Sequence, residues 1–140
     1  MGTPASLAAL TLVAASLVAP PAAAALDMSE GLWETTITAD GQSRSVGPSC
    51  YTKADIAEME RVLQGKSTNT GGVCRYIDFV QNGSSVRYTM ICRNGDEEQR
   101  SIIFAEYRGT LATGTIKTEG VTVTTVSRRV GSCTVSSFGR

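Results

Sequence analysis

The chain has 140 residues, with 13 basic and 13 acidic residues and no histidine, so its formal net charge at neutral pH is zero. A neutral chain without a basic stretch is not expected to bind nucleic acid, or to bind a membrane surface through a patch of basic residues. Without histidine the chain can form neither a histidine-containing triad nor a histidine-ligated metal site. We therefore expect no metal, no cofactor and no catalytic residues, although carboxylate, tyrosine or lysine chemistry stays open.

The first 25 residues are predicted to be a cleaved signal peptide. An apolar run at residues 7–18 is too short to span a bilayer, and small residues at 22–25 fit a signal peptidase site. No basic residue precedes the run, so a cytoplasmic chain with an alanine-rich N-terminal helix is the alternative. We expect a signal peptide at 1–25 and a single periplasmic or secreted domain at 26–140, with no integral membrane segment after cleavage.

The remaining sequence predicts a mainly β fold. Asp40-Gly41 is a strong hairpin-turn signal, and further glycine-containing turns recur at regular spacing. The predicted strands are at residues 32–38, 42–49, 73–80, 85–93, 100–107, 110–118 and 121–130. This spacing favours an antiparallel meander of about seven strands that forms a curved sheet or a small barrel.

One short helix is predicted after the second strand. Thr52 followed by Asp55 is typical of a helix N-terminus, because each side chain can bond the other residue's backbone N–H. Apolar residues then recur at helical spacing until Gly65. A polar loop at residues 66–72 leads back to the strands.

The hairpin at residues 73–93 is predicted in a register that also places two cysteines. Pairing Tyr76 with Met90, Asp78 with Tyr88 and Val80 with Val86 puts the apolar side chains on one face. A two-residue turn at Asn82-Gly83 would shift this pairing by one residue. We prefer the first register, which sets Cys74 opposite Cys92.

The four cysteines are predicted to form two disulfides. Pairing Cys74 with Cys92 leaves Cys50 with Cys133, while the alternative pairs Cys50 with Cys74 and Cys92 with Cys133. A zinc site is the competing use of four cysteines. The chain has no Cys-x-x-Cys pair, and export favours oxidation, so we expect structural disulfides.

Four short motifs, in order, resemble the domain of unknown function 3617 family of small proteins exported by Gram-negative bacteria. They are Gly31-Leu32-Trp33-Glu34, Cys50-Tyr51-Thr52-Lys53-Ala54-Asp55, the hairpin from Cys74 to Cys92, and Arg129-Val130-Gly131-Ser132-Cys133. The resemblance covers the whole predicted mature chain. It implies a periplasmic or secreted, β-rich, disulfide-bonded protein and brings no established activity. The chain lacks the methionine-rich late strands of many members.

The strongest candidate for a binding site is Asp78 with Tyr88 and the nearby Tyr76. The preferred register places this carboxylate beside a phenol on the apolar face, and a buried carboxylate needs a partner. The functional interpretation is a polar anchor in a ligand cavity, and the structural one is a hydrogen-bonded pair or a solvent-facing strand edge. Trp33 is interpreted as a core residue rather than a recognition surface.

Three classes of function follow from these features. A non-enzymatic binding module for a small apolar ligand is the leading hypothesis, because a curved sheet offers an apolar face and no catalytic set is visible. An inhibitor or partner module of the cell envelope is the alternative, with contacts at Arg128-Arg129 or Asp96-Glu97-Glu98. An enzyme ranks third.

The first prediction is that the exported chain is cut after Ala24 or Ala25, because small residues occupy the positions that signal peptidase reads. Intact mass of the chain recovered from the periplasm or the medium measures the cut. A full-length chain in the cytoplasm with free thiols would contradict the prediction.

Overall fold

The computed structural model describes residues 25–66 and 73–134. The predicted signal peptide, except for Ala25, and most of the polar loop at 66–72 lie outside the described residues. The described elements are β1 Gly31–Ala39, β2 Gln42–Tyr51, α1 Lys53–Leu63, β3 Cys74–Asn82, β4 Ser85–Asn94, β5 Glu97–Arg108, β6 Leu111–Thr118 and β7 Val121–Gly131. The predicted mainly β fold with one helix after the second strand is confirmed.

All seven strands belong to one open antiparallel sheet in the order β2-β1-β7-β6-β5-β4-β3. A meander therefore runs from β3 to β7, and the hairpin of β1 and β2 joins it through pairing of β1 with β7. The two edges of the sheet are β2 and β3. Pro48 lies on the outer strand β2, where its missing N–H is tolerated best.

A two-residue turn connects the two strands of each hairpin in the sheet. Each turn contains a glycine at positive φ, a conformation that a two-residue hairpin requires and that glycine adopts without a steric penalty. These glycines are Gly41, Gly83, Gly95, Gly109 and Gly120. The predicted turn at Asp40-Gly41 is among them, with Ala39 opposite Gln42.

The register of the hairpin of β3 and β4 corrects part of the prediction. Cys74 lies opposite Cys92 and Tyr76 opposite Met90, as predicted. The predicted pair of Val80 with Val86 is wrong, because Gln81 lies opposite Val86. Asp78 lies within the register shift between Ile77 and Val80, so it does not form the predicted regular pair with Tyr88.

The physical reason is a β-bulge at Asp78, which adopts a left-handed φ of 56°. The turn itself is Gly83-Ser84, with Asn82 opposite Ser85. The bulge adds one residue to β3 and thereby reconciles this turn with the cysteine pairing. A left-handed φ is tolerated by aspartate more readily than by most residues.

Both disulfides of the preferred pairing are present. Cys50–Cys133 joins residues 83 positions apart, and Cys74–Cys92 joins residues 18 positions apart. The longer bridge ties the end of β2 to the segment that follows β7.

The helix begins with a capping box, as the sequence predicted. The backbone N–H of Asp55 donates to Thr52 Oγ1 at 3.2 Å, and the backbone N–H of Thr52 donates to Asp55 Oδ2 at 2.8 Å. The pKa of the Asp55 carboxyl is lowered, because the backbone N–H of Thr52 and the Thr52 hydroxyl, which donates to Asp55 Oδ2 at 2.7 Å, stabilise its charged form.

Apolar side chains of α1 cover part of the inner face of the sheet. Leu63 forms a buried cluster with Leu26 and Val86, and Met59 packs against the same cluster. The cluster also contacts side chains of β3, β4 and β5, so the helix covers that end of the sheet. Trp33, the largest fully buried side chain, is only 2% exposed and is a core residue, as predicted.

The second prediction compares the two disulfides. Replacing Cys50 and Cys133 by serine should lower the free energy of unfolding by about 4 to 5 kcal/mol, because the bridge closes a long loop of the unfolded chain. Replacing Cys74 and Cys92 should cost about 3 kcal/mol, since that loop is shorter. Urea unfolding of the two variants measures the difference, and an equal loss in both would contradict the loop argument.

Candidate functional site

A cavity of about 250 Å³ lies between the helix and the inner face of the sheet. Its lining comes from α1, from the segment before β1 and from every strand of the sheet; Tyr51 is supplied by β2 and Tyr76 by β3. Since β2 and β3 are the opposite edges of the sheet, the sheet curves far enough for both edges to reach one cavity.

All four tyrosines of the chain line this cavity: Tyr51, Tyr76, Tyr88 and Tyr107. The rings of Tyr76 and Tyr88 meet edge to face, with centroids 5.7 Å apart and planes at 67°. This is a favourable geometry for an aromatic pair, because the positive edge of one ring meets the negative face of the other. The tyrosines therefore form an aromatic wall that carries several hydroxyl groups.

Burial raises the pKa of two of these phenols. Tyr88 has the larger shift, because the buried phenolate loses its hydration and Tyr107 and Tyr76 add a repulsive interaction. The pKa of Tyr107 is also raised, first by burial and then by Tyr51. Both side chains are consequently neutral hydrogen-bond donors over the whole physiological range.

Small side chains line the cavity on β5 and β6, beside Tyr107. Ala105 lies opposite Gly114, and Ala112 lies opposite Tyr107. A Cβ atom on Gly114 would come within 2.6 Å of Thr125 Oγ1, so glycine lets β6 and Thr125 approach closely here. These small side chains leave space between the sheet and Met59 of the helix.

The remaining polar groups of the lining are hydroxyls. Thr35 and Ser127 hydrogen-bond to each other across β1 and β7 at 2.8 Å. The indole N–H of Trp33 donates to the Ser29 carbonyl oxygen at 3.0 Å, so this buried donor has a hydrogen-bond partner. None of the described side chains that line the cavity is charged at neutral pH. Among the same described residues, no group of three or more histidine, cysteine or acidic side chains could hold a metal ion.

The structure brings together two of the three predicted site residues. Tyr76 and Tyr88 lie side by side in the cavity. Asp78 lies at the bulge, where its side chain is 61% exposed and its Oδ2 is 3.9 Å from Arg100 Nη2. The bulge redirects β3 locally, so the predicted contact of Asp78 with Tyr88 on the apolar face is not formed.

One residue of each predicted contact patch forms a contact within the chain, Arg129 in the basic pair and Glu98 in the acidic cluster. Arg128 and Arg129 are consecutive on β7 and therefore point to opposite faces of the sheet. Arg129 Nε donates to the Glu30 carbonyl oxygen at 2.7 Å. In the acidic patch, Arg75 Nη1 donates to Glu98 Oε2 at 3.0 Å, and this contact lowers the pKa of the Glu98 carboxyl.

Tyr51 and Tyr107 line the cavity but are not among the site residues predicted from the sequence. Tyr107 follows Ile103 and Ala105 at alternate positions of β5, so the two-residue period was a usable signal. Tyr51 had no such signal. It reaches the cavity only because the end of β2 curves towards the other edge of the sheet.

An open, curved antiparallel sheet with two disulfides and one covering helix defines a small β-domain with a cavity between helix and sheet. A family model described as a protein of unknown function, DUF3617, matches residues 28–133, and the chain belongs to this family. No curated protein and no solved structure matches the chain. Within the described residues, no helix is long and apolar enough to cross a membrane.

The third prediction concerns the ionisation of Tyr88. Unfolded tyrosines ionise near pH 10, whereas burial delays ionisation of Tyr88 in the fold. The stability that this contributes is fully present below about pH 10 and is lost as the pH rises towards the folded pKa. Tyr88→Phe should therefore remove a late step from the alkaline titration of tyrosinate absorbance and reduce the alkaline loss of Tm. An unchanged late step in this variant would show that Tyr88 is not the buried phenol.

Proposed function

We propose that this chain is an exported, non-enzymatic binding module whose cavity takes a small, neutral, largely apolar molecule. The observation that carries the proposal is the convergence of all four tyrosines on one cavity whose described lining has no charged side chain. Aromatic walls with a few polar groups are typical of small-molecule sites.

The size of the cavity limits the ligand. An apolar cavity of about 150 Å³ holds a benzene ring, and ordinary ligand pockets begin at about 300 Å³. A cavity of about 250 Å³ therefore fits one or two fused rings or a short branched chain. Three methionines, Met28, Met59 and Met90, also line it, and their flexible thioethers adapt to irregular ligand shapes.

The lining favours a neutral ligand with a hydrogen-bonding group. An ion would lose its hydration in the cavity without meeting an opposite charge among the described lining residues. The protonated hydroxyls of Tyr88 and Tyr107 supply donors for a carbonyl or hydroxyl oxygen of the ligand. The polar anchor is thus assigned to tyrosine hydroxyls rather than to Asp78.

The same groups support binding rather than catalysis. A tyrosine with a raised pKa is a poor general base at neutral pH, because its phenolate is scarce there. The chain has no histidine that would replace it. Export is supported by the two disulfides, since such bonds persist mainly in oxidising compartments.

The fourth prediction tests ligand charge with two probes that share one ring system. Neutral naphthol should bind the purified protein, whereas anionic naphthoate should bind at least about 10-fold more weakly, because its carboxylate would lie unpaired in the cavity. Isothermal titration calorimetry measures both affinities, and native mass spectrometry of the exported protein tests for a retained molecule. Absence of binding by both probes together with an empty exported protein would contradict the proposal.

Three variants locate the binding of naphthol. Ala112→Leu should abolish it while keeping the Tm, because the larger side chain fills the cavity from β6. Tyr88→Phe should weaken it by about 2- to 10-fold through loss of one hydrogen bond. Asp78→Asn is the matched control and should leave the affinity unchanged, since Asp78 lies outside the cavity. Equal affinity in all three variants would place the probe elsewhere.

A further inference from the structure

The backbone nitrogen of Leu26 is held by a carboxylate of the helix. It donates to Glu60 Oε1 at 2.6 Å. The Leu26 side chain is 7% exposed and belongs to the buried cluster with Leu63 and Val86. Ala25, by contrast, is exposed. Among the described residues, Leu26 is thus the first buried one.

The residues that follow Leu26 fix its position. The N–H of Gly109 donates to the Asp27 carbonyl oxygen at 2.9 Å, and the N–H of Ser29 donates to the Gly109 carbonyl oxygen at 2.8 Å. Met28, between them, lines the cavity. The segment thus connects α1, through Glu60, to the turn between β5 and β6.

The predicted signal peptidase site coincides with this contact. The small residues Ala23 and Ala25 place one of the two possible cuts between Ala25 and Leu26. Hydrolysis of that peptide bond by water leaves a carboxylate on Ala25 and turns the Leu26 amide nitrogen into an α-ammonium group. The nitrogen that becomes charged is the one that already contacts Glu60.

We propose that the mature chain begins at Leu26 and that Glu60 binds its new α-ammonium group in a salt bridge that the uncut chain lacks. An α-amino group has an ordinary pKa of about 8 and is mostly protonated at neutral pH. In the uncut chain only the acceptor of this bond is charged, whereas the α-ammonium group adds the opposite charge on the donor and makes the contact a salt bridge. Processing therefore strengthens an existing contact and fixes the segment that carries Met28 on the cavity.

A cut after Ala24 would not give this result. The ammonium group would then lie on Ala25, which is exposed, and Leu26 would keep a neutral amide opposite Glu60. This inference rests on the proposed export but not on the proposed ligand.

The fifth prediction concerns exported protein and has two parts: its intact mass, and the Tm effect of Glu60→Gln in the normal chain and in a chain with an N-terminal extension. The mass should show Leu26 as the first residue. Glu60→Gln should lower the Tm by about 4 °C or more, because the α-ammonium group loses its charged partner. A second chain carries Gly-Ser between Ala25 and Leu26, so that the same cut leaves a neutral amide at Leu26. In this extended chain the Tm loss on Glu60→Gln should be at most half as large.

Two controls separate the ammonium contact from general effects. Glu58→Gln removes another carboxylate of the same helix, 3.7 Å from Arg61, and its Tm change should be the same in both chains. The extension alone, with Glu60 intact, should also lower the Tm, which keeps the test valid should the glutamine variant not fold.

The outcomes that overturn the inference are distinct. An exported chain that begins at another residue, an equal Glu60→Gln effect in both chains, or an extension without effect would each reject the salt bridge and leave the ligand proposal standing. Recovery of only uncut chain from the cytoplasm would reject export as well.

Discussion

The pairing of β1 with β7 is the constraint on which the rest of the structure depends. The Thr35 and Ser127 hydroxyls bond across it although 92 positions separate them in the chain. Such a contact requires closure of a long loop before it stabilises anything. The Cys50–Cys133 bridge restrains the same part of the chain, because it links the strand beside β1 to the segment after β7. Together these two links bring Trp33 and Thr35 into the wall of the cavity.

The cavity reflects an uneven distribution of side-chain size on one face of the sheet. Large side chains, tyrosines on β3, β4 and β5 and those of the helix, cover one end of the sheet. Small residues at the centre of the sheet, Ala105, Ala112 and Gly114, leave space above it. A void costs stability, since the atoms around it lack contact partners on one side. A sequence that keeps glycine and alanine at these positions retains that cost. Positions where a protein departs from the best packing are often functional sites, and this is the physical reason to place a ligand there.

The bulge at Asp78 shows how one residue decides which groups meet. A β-strand places alternate side chains on opposite faces, so an extra residue changes the face of everything beyond it. With the bulge, Cys74 and Tyr76 keep their predicted partners while Asp78 turns to solvent near Arg100. The site consequently contains no carboxylate among its described lining residues and relies on neutral phenols.

The sequence by itself determined the local elements of this protein. Turn glycines, the Thr52 and Asp55 cap, the Cys74 and Cys92 pair and the burial of Trp33 all follow from short-range stereochemistry and from side-chain type. The two-residue period also placed Tyr76 and Tyr88 on the inner face.

Only the tertiary structure decided which elements are neighbours and where the site lies. The contact of β1 with β7, the curvature that brings Tyr51 to Tyr107, and the position of Leu26 beside Glu60 depend on residues far apart in the chain. No local pattern encodes these contacts, because they result from the twist and closure of the whole sheet and from the packing of one helix over it.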